Sequence, residues 1–210
     1  MKFVGRTLPV FLLMVLALGC IAEDIGLILK NHTVADSDLD ESVLLLLAGY
    51  YSAFPEVREL FLELKDSSWV LKRGYAEHKT VFLSRGLFFQ EQVVIYFSPD
   101  TGARVRFENA CSDKINFCYV SPADILVHEL LHARMMLSLG YERTNIFKEE
   151  RIVLSFERFI YSRMTELDGF ERPVRSRSRG EFVAVDCLFC LPQGVSLSAE
   201  NINETNYNRP

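Results

Sequence analysis

Ser121-Pro122-Ala123-Asp124-Ile125-Leu126-Val127-His128-Glu129-Leu130-Leu131-His132, continued by Ala133-Arg134-Met135-Met136-Leu137-Ser138-Leu139-Gly140, is the stretch that decides how this chain is read. It opens with helix-start signals: Ser at the N-cap, Pro at the first helical position and an acid three residues after the cap. Gly140 supplies a stop. Between them, Ile125, Leu126, Val127, Leu130, Leu131, Met135, Met136, Leu137 and Leu139 surround the helix on all sides. A helix that is apolar all round is buried. Residues four apart share a helix face, so His128 and His132 converge on one point, and Glu129 is offset by about a quarter turn. Unpaired polar groups in a buried helix are costly. One metal ion with a bound water satisfies both imidazoles and the carboxylate at once.

His-Glu-x-x-His on a helix supplies two zinc ligands and a glutamate that reaches a zinc-bound water as general base. One Zn2+ per chain is therefore expected, and a catalytic zinc takes three protein ligands. The extended pattern with a glycine and a third histidine is excluded, because Met135 and Ser138 stand at those places. No histidine follows His132, and His32 and His78 upstream read as surface or hydrogen-bonded residues. The third ligand is then a downstream carboxylate: Glu142, Glu149, Glu150, Glu157, Glu166 or Asp168. A second helix is predicted from about Asn145 to Glu166, with Ile152, Val153, Phe156, Phe159 and Ile160 on its core face. Glu149 falls inside that apolar stripe, in line with Val153 and Phe156. Glu150 sits at its edge, in line with Leu154 and Glu157. A carboxylate on or beside a buried stripe calls for a cation, so both stay candidates. Glu157 and Glu166 read as surface charges.

A glutamate ligand on the helix after the metal helix is how the thermolysin-like zinc peptidases, the gluzincins, are built. Residues 121–166 resemble that clan. Within it, Ser121 to Ala133 followed by Glu149-Glu150 looks most like the small bacterial effector and toxin metallopeptidases and the catalytic light chain of clostridial neurotoxins. The resemblance implies a zincin-like fold and a zinc-dependent endopeptidase acting on a peptide or protein, with Glu129 as general base. It also implies that Glu150 is the third ligand and that Glu149 supports the site, whereas the stripe position alone leans to Glu149. Those toxin families use a later Arg and Tyr on the transition state. Arg172, Arg175, Arg177, Arg179, Tyr161 and Tyr207 are the candidates, although the Arg172–Arg179 run reads as an exposed basic loop. Two other classes compete: a non-catalytic zinc-binding envelope lipoprotein that binds a partner, and a core helix with a chance motif.

The ends indicate export. Lys2 and Arg6 precede an apolar run, Leu8 to Leu18, too short to span a bilayer comfortably, so residues 1–22 read as a bacterial signal peptide. Two exits are open: ordinary cleavage before Glu23, or lipidation of Cys20 in Ala17-Leu18-Gly19-Cys20, which resembles a lipobox. The product would be periplasmic, outer-membrane-anchored or secreted. Residues 23–210 then form a single domain. A formal net charge of −5 with 49% hydrophobic residues gives no bias toward nucleic acid. Setting Cys20 aside, Cys111, Cys118, Cys187 and Cys190 are an even number in an exported chain, which suggests two disulfides; the spacing does not choose their pairing.

The remaining pattern predicts an α+β domain with a small antiparallel or mixed sheet segregated from its helices. Residues 23–35 read as an N-terminal arm. Asp36 to Lys65 is helical with a break at Pro55. Trp69–Tyr75, Thr80–Ser84, Gln92–Phe97, Ala103–Glu108 and 117–120 read as strands, with Gln92–Phe97 central because it is the most apolar. Ala103–Glu108 alternates Val105 and Phe107 with Arg104 and Arg106, so it is expected to be half-exposed and to offer an edge for a bound peptide. From Gly169 on, no element is predicted.

Overall fold

The computed structural model describes residues 22–83, 92–106, 117–138, 146–173 and 180–189. Residues 22–32 are helical (α1). Then follow α2 (Glu41–Ser52), α3 (Pro55–Leu64), β1 (Trp69–Arg73), β2 (Lys79–Leu83), β3 (Gln92–Phe97), β4 (Thr101–Arg106), β5 (Phe117–Val120), α4 (Pro122–Ser138), α5 (Ile146–Asp168) and β6 (Gly180–Ala184). This is an α+β architecture. Pro55 separates α2 from α3 as expected, because it ends one helix and sits in the first turn of the next.

Two differences from the sequence reading concern element type. The stretch read as an N-terminal arm is α1, whose Ile25, Ile28 and Leu29 are buried against the other helices. Their spacing is helical, but Glu23, Asp24 and Gly26 mask it in a short segment. The tail also carries a strand, β6, in a stretch where charge and small residues hide the alternation.

Among the described residues the strands form two three-stranded sheets rather than one. In the first the order is β1-β3-β2, with β1 parallel and β2 antiparallel to β3. β3 is central, as its continuous apolar character requires. In the second the order is β5-β4-β6, all antiparallel. β4 is thus paired along both edges and offers none to a peptide. Its Arg104 is buried and ion-paired with Glu181 of β6 rather than half-exposed.

The main core gathers α1 to α5 around the first sheet: Leu29, Leu47, Tyr51, Phe61, Leu71, Ile95, Leu126, Leu130 and Tyr161 are almost fully buried. A smaller cluster, Ala103, Val105, Val120 and Ile125, joins the second sheet to α4. α4 therefore lies between sheet and helices, and residues 122–131 are all buried. Its first turn is anchored on every side. Ser121 Oγ accepts from Asp124 N at 3.1 Å, the N-cap bond. Tyr51 and Tyr161 hydroxyls donate to the carbonyls of Ala123 and Asp124. Arg172 Nε donates to Asp124 Oδ2 at 3.1 Å while its Nη atoms hold Asp168.

Arg172 is buried and ion-paired, not part of an exposed loop, and its guanidinium is engaged at this end of α4. Arg175, Arg177, Arg179 and Tyr207 lie outside the described residues, as do Gly140, Glu142 and the segment from residue 1 to Ile21. α5 ends at Asp168, and Gly169, at φ +76°, closes it in the left-handed conformation that glycine adopts without penalty. The tail returns to α4: Leu188 is buried and its carbonyl accepts from Ala123 N at 3.1 Å. Cys187 beside it is disulfide-bonded. Among the described residues no helix is long and apolar enough to cross a membrane.

Candidate metal centre

Midway along α4, His128 and His132 point their Nε2 atoms at one another, 3.1 Å apart, with the rings nearly perpendicular. Two zinc–nitrogen bonds of about 2.05 Å at a tetrahedral angle would place the nitrogens roughly 3.3 Å apart. Glu150 reaches the same point from near the start of α5, just past its first turn. Its Oε2 lies 3.1 Å from His132 Nε2, and its Oε1 lies 4.0 Å from His128 Nε2. Among the described residues, ligand atoms of His128, His132 and Glu150 form a group that fits a metal ion, all within 4.8 Å of one another. Two imidazole nitrogens and one carboxylate oxygen are also the donor set that zinc takes in open sites.

The other nitrogen of each histidine is held as well. His132 Nδ1 donates to Glu149 Oε1 at 3.0 Å. His128 Nδ1 lies 3.1 Å from Glu157 Oε1. A carboxylate on Nδ1 fixes the tautomer in which Nε2 carries a lone pair, and it orients the ring. The two adjacent glutamates thus divide: Glu150 faces the point of convergence and Glu149 faces the back of His132. Glu157, read from the sequence as a surface charge, is instead 1% exposed. Its position did carry a signal. Seven residues after Glu150, it lies two turns further along the same face. Glu166 is exposed, and paired with Arg163.

Three carboxylates around two imidazoles make the point strongly cation-seeking. Burial alone would push the His132 imidazole down. Hydrogen bonds to Glu149 and Glu150, and the charges of Glu129 and Glu150, outweigh it and push the group up to about 10.

Glu129 lies beside the cluster without joining it. Thr80 Oγ1 of β2 donates to Glu129 Oε2 at 2.7 Å and approaches the Glu129 carbonyl at 2.9 Å. Both residues line a cleft of about 550 Å³ between α4, the start of α5 and the sheets. Its floor carries His128, His132, Glu149 and Glu150, and Val105, Val120, Ile125, Met136 and Phe182 supply apolar walls. Lys79 to Phe82 of β2 form one side. Among the described residues β2 pairs only with β3, whereas the outer side of β1 is met by a bridge from Thr33.

His78 also lines the cleft. Of the two readings the sequence left open for it, surface or hydrogen-bonded, the structure shows the second: His78 is buried, its Nε2 donates to the Thr101 carbonyl at 2.7 Å, and burial holds its imidazole below the ordinary range. His32 stacks on Trp69 and bonds the carbonyls of Trp69 and Lys65, away from the cleft. Tyr161 reaches the cleft wall, but its hydroxyl is spent on the Asp124 carbonyl.

Thr80 and His78 had no signal in the sequence, since each meets α4 or β4 only through long-range folding. Comparison with family models, curated proteins and solved structures found no significant match. The functional reading therefore stands on the motif and on this geometry.

Proposed function

We propose that the protein is a zinc-dependent endopeptidase of zincin-like build, with His128, His132 and Glu150 as metal ligands and Glu129 as general base. The observation that carries this reading is the convergence of two Nε2 atoms and one carboxylate at the floor of an open cleft. Both remaining imidazole nitrogens are held by buried glutamates, and a fourth carboxylate stands alongside. When bound, zinc would lower the pKa of a water and polarise the scissile carbonyl.

The chain's own part is to position and to move a proton. Glu149 and Glu157 hold the imidazoles in the ligating tautomer. Glu129 takes a proton from water and passes it to the leaving amine. Lys79 to Phe82 of β2 line the cleft and would guide an extended substrate along it, the task that β4 is too enclosed to perform. The apolar walls favour a bulky apolar side chain next to the cleaved bond. A binding-only zinc module needs no carboxylate at position 129, which favours the enzyme over that alternative. The first twenty-two residues support export of the mature chain, with Cys20 as the attachment point if it is lipidated.

The test is metal content and peptide cleavage on the purified mature chain, using a mixed peptide library. Wild type should hold one zinc, and His132→Ala should lose zinc and cleavage together. Glu129→Gln should fold, keep its zinc and lose cleavage by about 10²-fold or more. A wild type without zinc, or a Glu129→Gln variant that cleaves as well as wild type, overturns the reading.

A further inference from the structure

Glu129 has a difficulty that the metal ligands do not share. His128 and His132 are fixed from behind by carboxylates. A glutamate side chain has three rotatable bonds, and Glu129, buried at the wall of the cleft, needs a hydrogen-bond partner to fix its carboxylate there. Proton transfer needs the carboxylate within roughly 3 Å of the water it serves, and a misplacement of about 1 Å costs on the order of 10²-fold in rate. Something must hold it.

We propose that Thr80 is the positioning residue for Glu129, its hydroxyl holding the carboxylate against β2 so that one oxygen stays directed to the metal point. This rests on the reading of Glu129 as the base. Three observations carry it. The Thr80 Oγ1 to Glu129 Oε2 distance is 2.7 Å, the length of a strong hydroxyl-to-carboxylate hydrogen bond. The same hydroxyl lies 2.9 Å from the Glu129 carbonyl, so one group gauges both the backbone and the tip of that residue. The hydroxyl is itself rigidly placed. Threonine is β-branched and stiff at χ1, and Thr80 is registered opposite Ile95, a fully buried residue of the central strand.

With Oε2 engaged by Thr80, Oε1 is the oxygen that receives the proton. Thr80 touches neither zinc nor substrate in this role. It also ties the base to β2, the strand that lines the cleft, so base and cleft wall move as one body.

The test is Thr80→Val, which removes the hydroxyl at nearly constant shape, with Thr80→Ser to restore it. Zinc titration, a crystal structure of each zinc-loaded variant and cleavage of the mixed peptide library are measured on the mature chain. The expected result is one zinc in all three proteins and a Glu129 side chain displaced from its wild-type position in Thr80→Val. In that variant kcat should fall by about 10- to 100-fold with KM within about twofold, and Thr80→Ser should recover both position and rate.

A Thr80→Val protein with Glu129 unmoved overturns the proposal, as does one with wild-type kcat. So does loss of zinc in Thr80→Val, which would make Thr80 structural. The crystallographic readout does not depend on activity. If wild type cleaves nothing yet Glu129 shifts in Thr80→Val and returns in Thr80→Ser, the positioning role stands and the endopeptidase reading is what fails.

Discussion

Glu149, Glu150 and Glu157 belong to one helix, and each meets the two histidines differently. Glu150 shares the convergence point with both Nε2 atoms, Glu149 backs His132 and Glu157 backs His128. The consequences for metal binding differ accordingly. Glu150→Ala should abolish binding of one zinc equivalent at micromolar metal, because two imidazoles remain without the third donor. Glu149→Gln and Glu157→Gln keep a side chain on Nδ1 but remove its charge, and each should weaken zinc by about 10- to 100-fold. Competition against a calibrated chelator measures all three. Loss of metal in Glu149→Ala with retention in Glu150→Ala would reverse the assignment. At this scale His128, Glu129 and His132 were legible in the sequence because their spacing is local. The adjacent glutamates were legible as a pair but not as individuals. A helix face resolves residues to about a quarter turn, and the choice between them depends on how α5 is rotated against α4.

α4 is the element on which the site depends, and its burial has to be secured at the N-terminal end, where backbone N–H groups lack helical partners. Ser121 caps it, and Asp124, three residues in, turns its carboxylate toward Tyr50 and Arg172. Arg172 in turn holds Asp168 at the end of α5, so one guanidinium clamps the start of α4 to the end of α5. Burial pushes the Asp124 carboxyl up, and Arg172, Tyr50 and Ser121 work against it. Removing Arg172 would leave that charge uncompensated. Arg172→Met should therefore destabilise the fold by roughly 3–5 kcal/mol. Adding Asp124→Asn should recover part of the loss. Equilibrium urea denaturation of the two variants checks this, and additive losses would show that the pair is not coupled. The elements themselves read well where periodicity was strong, as in α2 to α5 and β3. They read poorly in α1 and β6, where charged and small residues interrupt a short pattern. Arg172 was misread for a related reason. A basic run looks solvated from its composition, and only the fold supplies the two aspartates that bury its first member.

For the molecule as a whole, the histidine–glutamate cluster couples stability to pH, and the sign follows from His132. In the metal-free protein that imidazole is pushed up to about 10: burial opposes the shift, but Glu149, Glu150 and Glu129 outweigh it. In the unfolded chain it titrates near about 6.5. Between these values the folded state holds a proton that the unfolded state has released, so folding is weakened as pH rises. The stabilisation from His132 is complete below about 6.5 and is lost as pH passes through about 10. His78 acts in a different window. Burial holds it below its ordinary value, so its contribution is full above about 6.5 and is lost on acidification below it. Zinc bound as proposed would take the place of the His132 proton, so its binding would displace that proton. The chelator-treated protein should therefore show a melting temperature that declines from pH 6.5 toward pH 10. The zinc-loaded protein should decline less, so the gain in melting temperature on adding zinc widens with pH. His132→Gln should abolish that widening. Differential scanning calorimetry of the three samples across this range is the measurement. A zinc-induced gain that is constant, or that narrows as pH rises, would mean that proton and metal do not compete for His132. The site at the floor of the cleft would then have to be assigned differently.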